Sequence, residues 1–191
     1  MDGDGIRDVI VGAGPGAGPR VVVLNGIDGS EIRSFFAYAP SFAGGVTVAA
    51  GDVNGDKSDD IIVGADTRGN SHVVVVDGRT SQVLKSFYAF RSNYEFGIRV
   101  AAGDANADGL ADIFVGAGYG ASSQFRVFDG ATGGILRDGM AFSPDFTGGI
   151  YIASGDVDGD GFADAIIGSG RGGSPHVMIF SVITGAQLAS Y

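Results

Sequence analysis

A repeat of 52 residues runs through the chain and constrains its fold more than any other feature. Residues 51–56 recur at 103–108 and at 155–160, and one period earlier a shortened copy reads Asp2-Gly3-Asp4-Gly5. A Val-Gly-Ala element at 11–13 keeps the same period at 63–65 and 115–117. Regular self-similarity of this kind indicates a repeat architecture. We therefore predict a single repeat array over residues 1–191, with approximate repeats at 1–51, 52–103, 104–155 and 156–191.

Each repeat is predicted to contain four short strands. In the second repeat they are residues 46–50, 60–63, 72–76 and 83–88, which are rich in Val, Ile and Phe and are separated by Gly, Asp and Asn. Asn25-Gly26, Asp77-Gly78 and Asp129-Gly130 mark turns between the third and fourth strands. No segment keeps a helical apolar period, so essentially no helix is predicted.

The fold class expected from this pattern is all-β, a β-propeller of four blades of about 52 residues with four antiparallel strands each. A parallel β-helix is the alternative, but its coils are usually shorter and lack hairpin turns. The first blade lacks the counterpart of residues 46–50, its innermost strand. Three arrangements stay open: a fragment of a larger propeller, a small four-bladed ring, or a homo-oligomer that completes a larger ring.

The loop before the second strand of each repeat reads Asp-x-Asp/Asn-x-Asp-Gly-x-x-Asp in its full form. Calcium takes six to eight oxygen ligands, and alternate residues of a tight loop can direct several oxygens at one centre. A turn alone needs one or two such residues and has no use for four carboxylates. An EF-hand needs a bidentate Glu at position 12, where this chain has Ile167.

We predict three to four structural calcium ions per chain. The fourth copy offers the side chains of Asp156, Asp158, Asp160 and Asp164 and the carbonyl of Phe162. The third copy offers Asp104, Asn106, Asp108, Asp112 and the carbonyl of Leu110. The second copy offers Asp52, Asn54, Asp56, Asp60 and the carbonyl of Ser58. The first copy offers Asp2, Asp4, Asp8 and the carbonyl of Ile6.

The four copies are unequal, and their differences predict a graded affinity. Gly161 and Gly109 allow a sharp turn, whereas Lys57 holds that position in the second copy and adds a positive charge. The expected order of calcium affinity is fourth, third, second and then first.

Composition excludes several functions. The net charge of −10 disfavours nucleic acid as a partner, and the absence of cysteine rules out disulfides and thiolate metal sites. No apolar run reaches the length of a membrane span, and the acidic and glycine residues after Met1 do not form a signal peptide. The glycine spacing at 168–173 matches a dinucleotide fingerprint, but a predicted strand follows where that motif needs a helix.

Two further sets of residues carry alternative interpretations. His72 and His176 share one repeat position and are predicted as polar strand starts, the alternative being ligand contacts on one propeller face. Packing between blades is the simplest role for the aromatic residues on or just after the outer strands, and platforms for sugar rings are the alternative. These aromatic residues are Phe35, Phe36, Tyr38, Phe87, Tyr88, Phe90 and Phe142.

Residues 156–164 resemble the calcium loop of the FG-GAP repeat, which occurs in integrin α-chain propellers and related bacterial surface proteins. Phe96-Gly97 stands at the FG position, and Gly12-Ala13-Gly14-Pro15 resembles the GAP element. The resemblance implies a propeller with calcium between the first and second strands of a blade. It also implies an extracellular or cell-surface location.

The function expected from these observations is a non-catalytic, calcium-binding propeller module that binds an extracellular protein or glycan. One alternative is a lectin-like carbohydrate binder with aromatic, His and Arg positions lining pockets between blades. A second alternative is an accessory domain of an enzyme that acts on polysaccharides. No acid–base pair stands outside the aspartate loops, so no catalytic residue and no organic cofactor is predicted.

Overall fold

The computed structural model describes residues 3–91 and 94–191, which form four antiparallel sheets in chain order. The first sheet contains β1 (Val9–Gly12), β2 (Arg20–Leu24) and β3 (Glu31–Phe36). The second contains β4 (Val46–Gly51), β5 (Asp60–Ala65), β6 (His72–Val76) and β7 (Val83–Tyr88). The third contains β8 (Ile98–Gly103), β9 (Asp112–Ala117), β10 (Gln124–Phe128) and β11 (Ile135–Met140). The fourth contains β12 (Ile150–Gly155), β13 (Asp164–Ser169), β14 (Val177–Phe180) and β15 (Gln187–Ser190).

Each sheet is a propeller blade whose strands neighbour one another in sequence order, as predicted. Three blades have four strands and the first has three within the described residues, so the missing innermost strand is also confirmed. Strands β4 and β5 run one or two residues beyond the predicted bounds, because their ladder extends from Val46–Ala65 to Gly51–Asp60. The described residues contain no helix, and a strand follows residues 168–173, which disfavours the dinucleotide interpretation.

The hairpin turns lie where the Asn-Gly and Asp-Gly pairs predict them, but the loops are longer than two residues. In the second blade the loop closes with the Asp77 amide donating to the Gln82 carbonyl at 2.8 Å. The Ser81 amide donates back to the Asp77 carbonyl at 2.9 Å. The Asp-Gly pair therefore starts the loop, and a residue with positive φ ends it.

The core lies between blades, and this explains the apolar sequence of the second strand. Ile61 and Val63 pack against the first blade, while Ile62 between them packs against the third. A strand buried on both faces needs apolar residues at successive positions. Gly64 lies where the second and third blades approach closely, since a Cβ there would be 2.9 Å from Val100 Cγ1 and 3.0 Å from Ile98 Cγ1 of the third blade.

Three apolar cores join the four blades into an open array. They lie between the first and second, second and third, and third and fourth blades. Within the described residues no such core joins the fourth blade to the first. Val9 and Val11 on the outer face of the first blade are 52% and 45% exposed, whereas the equivalent Ile61 and Val63 are fully buried. The chain therefore does not adopt the closed four-bladed ring, which was one of the open expectations.

Candidate metal-binding loops

The three complete aspartate loops connect the first two strands of a blade, so they lie at one end of the sheets. Asp60, Asp112 and Asp164 each begin the second strand and are buried, at 0%, 0% and 1% exposure. The earlier aspartates of each loop are more exposed. Each loop thus combines one buried carboxylate at its base with several carboxylates near the surface.

The fourth loop is shaped by hydrogen bonds from its backbone to its own carboxylates. Asp156 accepts from the Gly159 amide at 2.7 Å and from the Gly161 amide at 3.0 Å. Asp160 accepts from the Phe162 amide at 3.0 Å. Gly159 and Gly161 both have positive φ, as the predicted sharp turn requires.

Asp164 gives this loop its most informative atom. Its Oδ2 accepts a hydrogen bond from the Val157 amide at 3.0 Å, but its Oδ1 is buried and has no partner. One carboxylate oxygen from each of Asp156, Asp158 and Asp164 lies within 4.8 Å of the others. Burial raises the pKa of Asp164, and the charges of Asp158, Asp160 and Asp156 raise it further. A cation among these oxygens would offset both effects.

The third loop has a similar cluster, formed by Asp108, Asp112 and Asp129. Asp112 accepts from the Ala105 and Gly130 amides, both at 2.8 Å. Burial raises the pKa of Asp112 to about 6, and the charges of Asp108 and Asp129 add to this rise. The pKa of Asp129 is lowered, chiefly by the hydrogen bond from the Thr132 amide, so this carboxylate stays ionised.

Asp129 was missed as a site residue by the sequence analysis, which assigned it to a hairpin turn. That turn returns to the end of the blade where the aspartate loop lies, and this brings Asp129 beside Asn106. The Asn106 Nδ2 donates to Asp129 at 3.3 Å, and Asn54 makes the equivalent bond to Asp77 at 3.3 Å. The available signal was the recurrence of Asp-Gly at the 52-residue period.

These turn residues keep the number of carboxylates constant among the complete loops. The fourth loop has Asp158 where the others have Asn, and it has Ser181 where the others have a turn aspartate. At these equivalent positions each complete loop therefore has four carboxylates, and the second loop has Asp59 in addition. In the second they are Asp52, Asp56, Asp60 and Asp77; in the third Asp104, Asp108, Asp112 and Asp129; in the fourth Asp156, Asp158, Asp160 and Asp164.

Two features of the second loop agree with its lower place in the predicted order of calcium affinity. Lys57 adopts a φ of 68° where the equivalent residues are glycines, which is the strain that its position predicts. Arg79 forms an ion pair with Asp56 at 3.4 Å. Burial raises the pKa of Asp60, as it does for the equivalent residues. The third loop also departs from glycine, with Ala107 at a φ of 59°.

The first loop is described in part, because Asp2 lies outside the described residues. Asp4 accepts from the Ile6 amide at 2.7 Å, and Asp8 accepts from the Gly26 amide at 3.2 Å. These contacts repeat the pattern of the other loops. The ligand sets and the order of affinity stay predictions for all four loops.

Neighbouring loops are joined to each other through the backbone. The Ala111 amide, at the end of the third loop, donates to the Asp52 carbonyl of the second at 2.7 Å. The Ala163 amide donates to the Asp104 carbonyl in the same way, also at 2.7 Å. Ordering one loop therefore restrains the end of the next loop, just before the second strand of its blade.

Sequence comparisons place these loops in a known repeat family. The family model described as FG-GAP-like repeat matches residues 1–63. Integrin alpha-5 of Xenopus laevis is 34% identical over an alignment of 160 residues, which covers 72% of this chain and 15% of that protein. The chain belongs to the FG-GAP repeat family. Integrin alpha-V of Gallus gallus is 28% identical over 197 residues, covering 88% of the FG-GAP chain described here. The chain spans less than a fifth of the length of either relative, at 15% and 19%.

Solved structures agree on the fold. A protein of unknown function from Bacteroides caccae superposes on 94% of this chain and 59% of its own, with a TM-score of 0.55 and 15% identity. BamB from Moraxella catarrhalis covers all of this chain and 50% of its own, with a TM-score of 0.52 and 16% identity. At these identities the likeness concerns the fold alone.

The FG and GAP elements of the FG-GAP chain meet between blades. Gly45 has a φ of 84° and lies so close to Gly14 and Pro15 that a Cβ would be 2.6 Å from the proline nitrogen. The Gly118 amide donates to the Gly97 carbonyl at 2.9 Å at the next interface. Gly45, Gly97 and Gly118 allow two backbones to touch, since a Cβ at any of them would lie within 2.8 Å of a backbone atom. Within the described residues, no helix is long and apolar enough to cross a membrane.

Proposed function

We propose that this FG-GAP chain is a calcium-stabilised propeller module that binds an extracellular ligand and performs no catalysis. The single observation that carries the calcium assignment is the buried, unpartnered Oδ1 of Asp164 beside Asp156 and Asp158. A buried acceptor without a partner costs about 1–3 kcal/mol. A native chain accepts that cost readily where a bound cation removes it.

The donor set fits calcium by its chemistry. The clustered side chains offer carboxylate oxygens and no nitrogen or sulfur ligands, which is the preference of a hard cation. In the fourth loop Asp156, Asp158, Asp160 and Asp164 would hold the ion with the carbonyl of Phe162. Bound calcium would neutralise these carboxylates. The chain itself supplies the loop shape through its amide hydrogen bonds and joins each loop to the next blade.

The interaction role and the location rest on the relatives. Both integrin chains match across most of this chain, and their names assign them to the integrin alpha group. We infer an extracellular or cell-surface setting, where calcium is abundant enough to fill weak sites. The open outer faces of the first and fourth blades are the places where further blades, or a second copy of the chain, would continue the array.

Thermal unfolding with and without calcium tests the proposal. The chain is stripped with EDTA, and unfolding is followed by circular dichroism in EDTA, in millimolar calcium and in millimolar magnesium. We expect calcium to raise Tm and magnesium to raise it less, because magnesium demands a tighter octahedral site. The calcium content after dialysis, measured by mass spectrometry, gives the number of filled loops.

Equal Tm values in EDTA and calcium would exclude a structural calcium role. A rise that magnesium reproduces fully would show general screening of the −10 charge instead of a calcium site. Asp145→Asn is the matched control, because Asp145 is an exposed aspartate outside all four loops.

A further inference from the structure

An unassigned cleft lies between the first and second blades and has a volume of about 480 Å³. It is bordered by the connections that follow β3 and β5, so it lies at the opposite end of the blades from the aspartate loops. Its walls combine aromatic rings with a few polar groups, as small-molecule sites do.

Aromatic rings form one wall of the cleft and are held rigidly. The Tyr38 hydroxyl lies 2.9 Å from the Val63 carbonyl and 2.8 Å from the His72 carbonyl. Phe42 packs edge-on against Tyr38, with ring centroids 5.6 Å apart. His72 packs against Tyr38 on one side and stacks on Tyr88 on the other, at 5.2 and 4.9 Å.

Tyr88 is 54% exposed although it lines this cleft. Phe36, at the equivalent position of the first blade, is also 54% exposed. Both residues depart from the prediction that these aromatic side chains pack between blades. The reason is that each lies at the end of an outer strand, at the rim of the sheet.

Arg68 is the polar group that sets this cleft apart. It adopts a φ of 66°, whereas the equivalent residues Gly16, Gly120 and Gly172 are glycines at 94°, 98° and 82°. An arginine in this conformation costs on the order of 1 kcal/mol, which the other blades avoid. The strain is retained in the second blade, where the arginine side chain lines the aromatic cleft.

The charge of the cleft contrasts with that of the chain. Among the described residues no Asp or Glu lines it, although the net charge is −10. The nearest aspartate in sequence, Asp66, is paired with Arg99 at 3.1 Å. Within the described part of the chain Arg68 forms no ion pair, so its guanidinium is available to an anionic ligand.

The equivalent cleft between the second and third blades is built differently. Arg126 occupies the position of Val74 and lies over the Phe90 ring at 5.6 Å. Its guanidinium is paired with Asp138 at 2.7 Å. Phe90 is the counterpart of Tyr38, so in this cleft an arginine that is already paired with an aspartate lies over the aromatic ring.

We propose that the first cleft binds a pyranose sugar that carries a carboxylate, such as a uronic-acid residue of an acidic polysaccharide. The apolar C–H face of the sugar ring packs on Tyr88 and Phe42, because aromatic faces are electron-rich and attract C–H groups. Arg68 pairs with the carboxylate through its planar fork of donors. This assignment rests on the proposed function, since it names a ligand of that module.

Saturation-transfer NMR on the calcium-loaded chain tests the proposal with four monosaccharide probes. Glucuronate and galacturonate are compared with glucose and galactose. We expect the two acids to bind more tightly than their neutral counterparts. Arg68→Gly should weaken binding of the acids about tenfold or more while leaving Tm unchanged or higher, because it restores the glycine of the other blades. Ser81→Gly makes the same change at another strained position, outside both the cleft and the aspartate loops, and should bind as the wild type does.

The aromatic wall is tested by a second matched pair. Tyr88→Ala should abolish detectable binding of both acids, and Phe36→Ala should leave it unchanged. Equal binding of acids and neutral sugars would overturn the role of Arg68, and binding of none of the four would overturn the sugar assignment. Tm in EDTA and in calcium, measured on the same samples, shows separately whether the calcium proposal holds.

Discussion

Asp164→Asn should shift the stability of the chain in opposite directions without and with calcium. In EDTA the wild type has a buried Oδ1 without a partner, surrounded by the charges of Asp156, Asp158 and Asp160. Asparagine removes one of those charges and places an amide donor beside the others. Its side-chain oxygen can still accept the bond from Val157. The metal-free variant should therefore be more stable than the metal-free wild type.

The burial of Asp164 sets the size of the effect in EDTA, and the calcium concentration relative to Kd sets the size of the effect in calcium. An unsatisfied buried acceptor costs about 1–3 kcal/mol, so we expect the variant to gain about 1 kcal/mol in EDTA. That gain corresponds to a Tm rise of about 2–4 °C for a chain of this length. A site at a calcium concentration about ten times its Kd contributes about 1.4 kcal/mol, or about 3–6 °C. The variant should lose that part of the calcium-induced rise.

Calorimetric unfolding of wild type, Asp164→Asn and Asp145→Asn, each in EDTA and in calcium, gives the six Tm values needed. The control should follow the wild type in both solutions. A variant that is less stable than the wild type in EDTA would refute the reasoning, because it would show that the Asp164 carboxylate stabilises the metal-free fold. An undiminished calcium-induced rise would show that Asp164 is not a ligand.

Three further changes test the blades and their ends. Lys57→Gly should raise the free energy of unfolding by about 0.5 kcal/mol, because the relief of backbone strain exceeds the added flexibility of the unfolded chain. It should also tighten calcium binding at the second loop. Chemical denaturation measures the first effect and calorimetric titration the second. Gly64→Ala should lower the free energy of unfolding by about 1–3 kcal/mol, because its Cβ would lie 2.7 Å from a neighbouring threonine hydroxyl. A Cβ at Gly14 meets open space, so Gly14→Ala should unfold at the same denaturant concentration as the wild type. Val11→Lys should reduce self-association measured by light scattering, whereas Ile27→Lys, on an exposed turn, should not. An equal mass for the wild type and both variants would exclude assembly through the first blade.

The strands were predictable because the sequence alternates between two kinds of segment. Apolar, β-branched runs such as Ile61-Ile62-Val63 end at Gly, Asp or Asn in every repeat, so both the strands and the turns recur at one period. The three-stranded first blade follows from the same alignment. The exposed outer faces of the first and fourth blades could not be predicted in this way, because the burial of a blade face depends on whether another blade lies beside it.

The aspartate loops were predictable in position but not in full composition. Spacing alone identifies Asp156, Asp158 and Asp164, which the structure brings together. Asp129 is 17 residues beyond Asp112 in sequence. It joins the third cluster because the hairpin between β10 and β11 returns to the same end of the blade. Contacts across a sheet depend on its topology, so the local spacing of residues in the sequence does not predict them.

Several non-glycine residues have a positive φ and therefore carry backbone strain. Contacts within the fold explain this strain at some of them but not at others. Lys57, Arg68, Ser81 and Ala107 each stand where the other repeats have glycine with positive φ. Ser81 is explained by packing between blades, because its hydroxyl accepts a hydrogen bond from Arg33 at 2.9 Å. Backbone strain therefore does not by itself mark a functional residue. Arg68 differs because its side chain lines a cleft that holds no other unpaired charge among the described residues. A ligand for its guanidinium therefore explains the backbone strain at Arg68 better than a contact within the fold does.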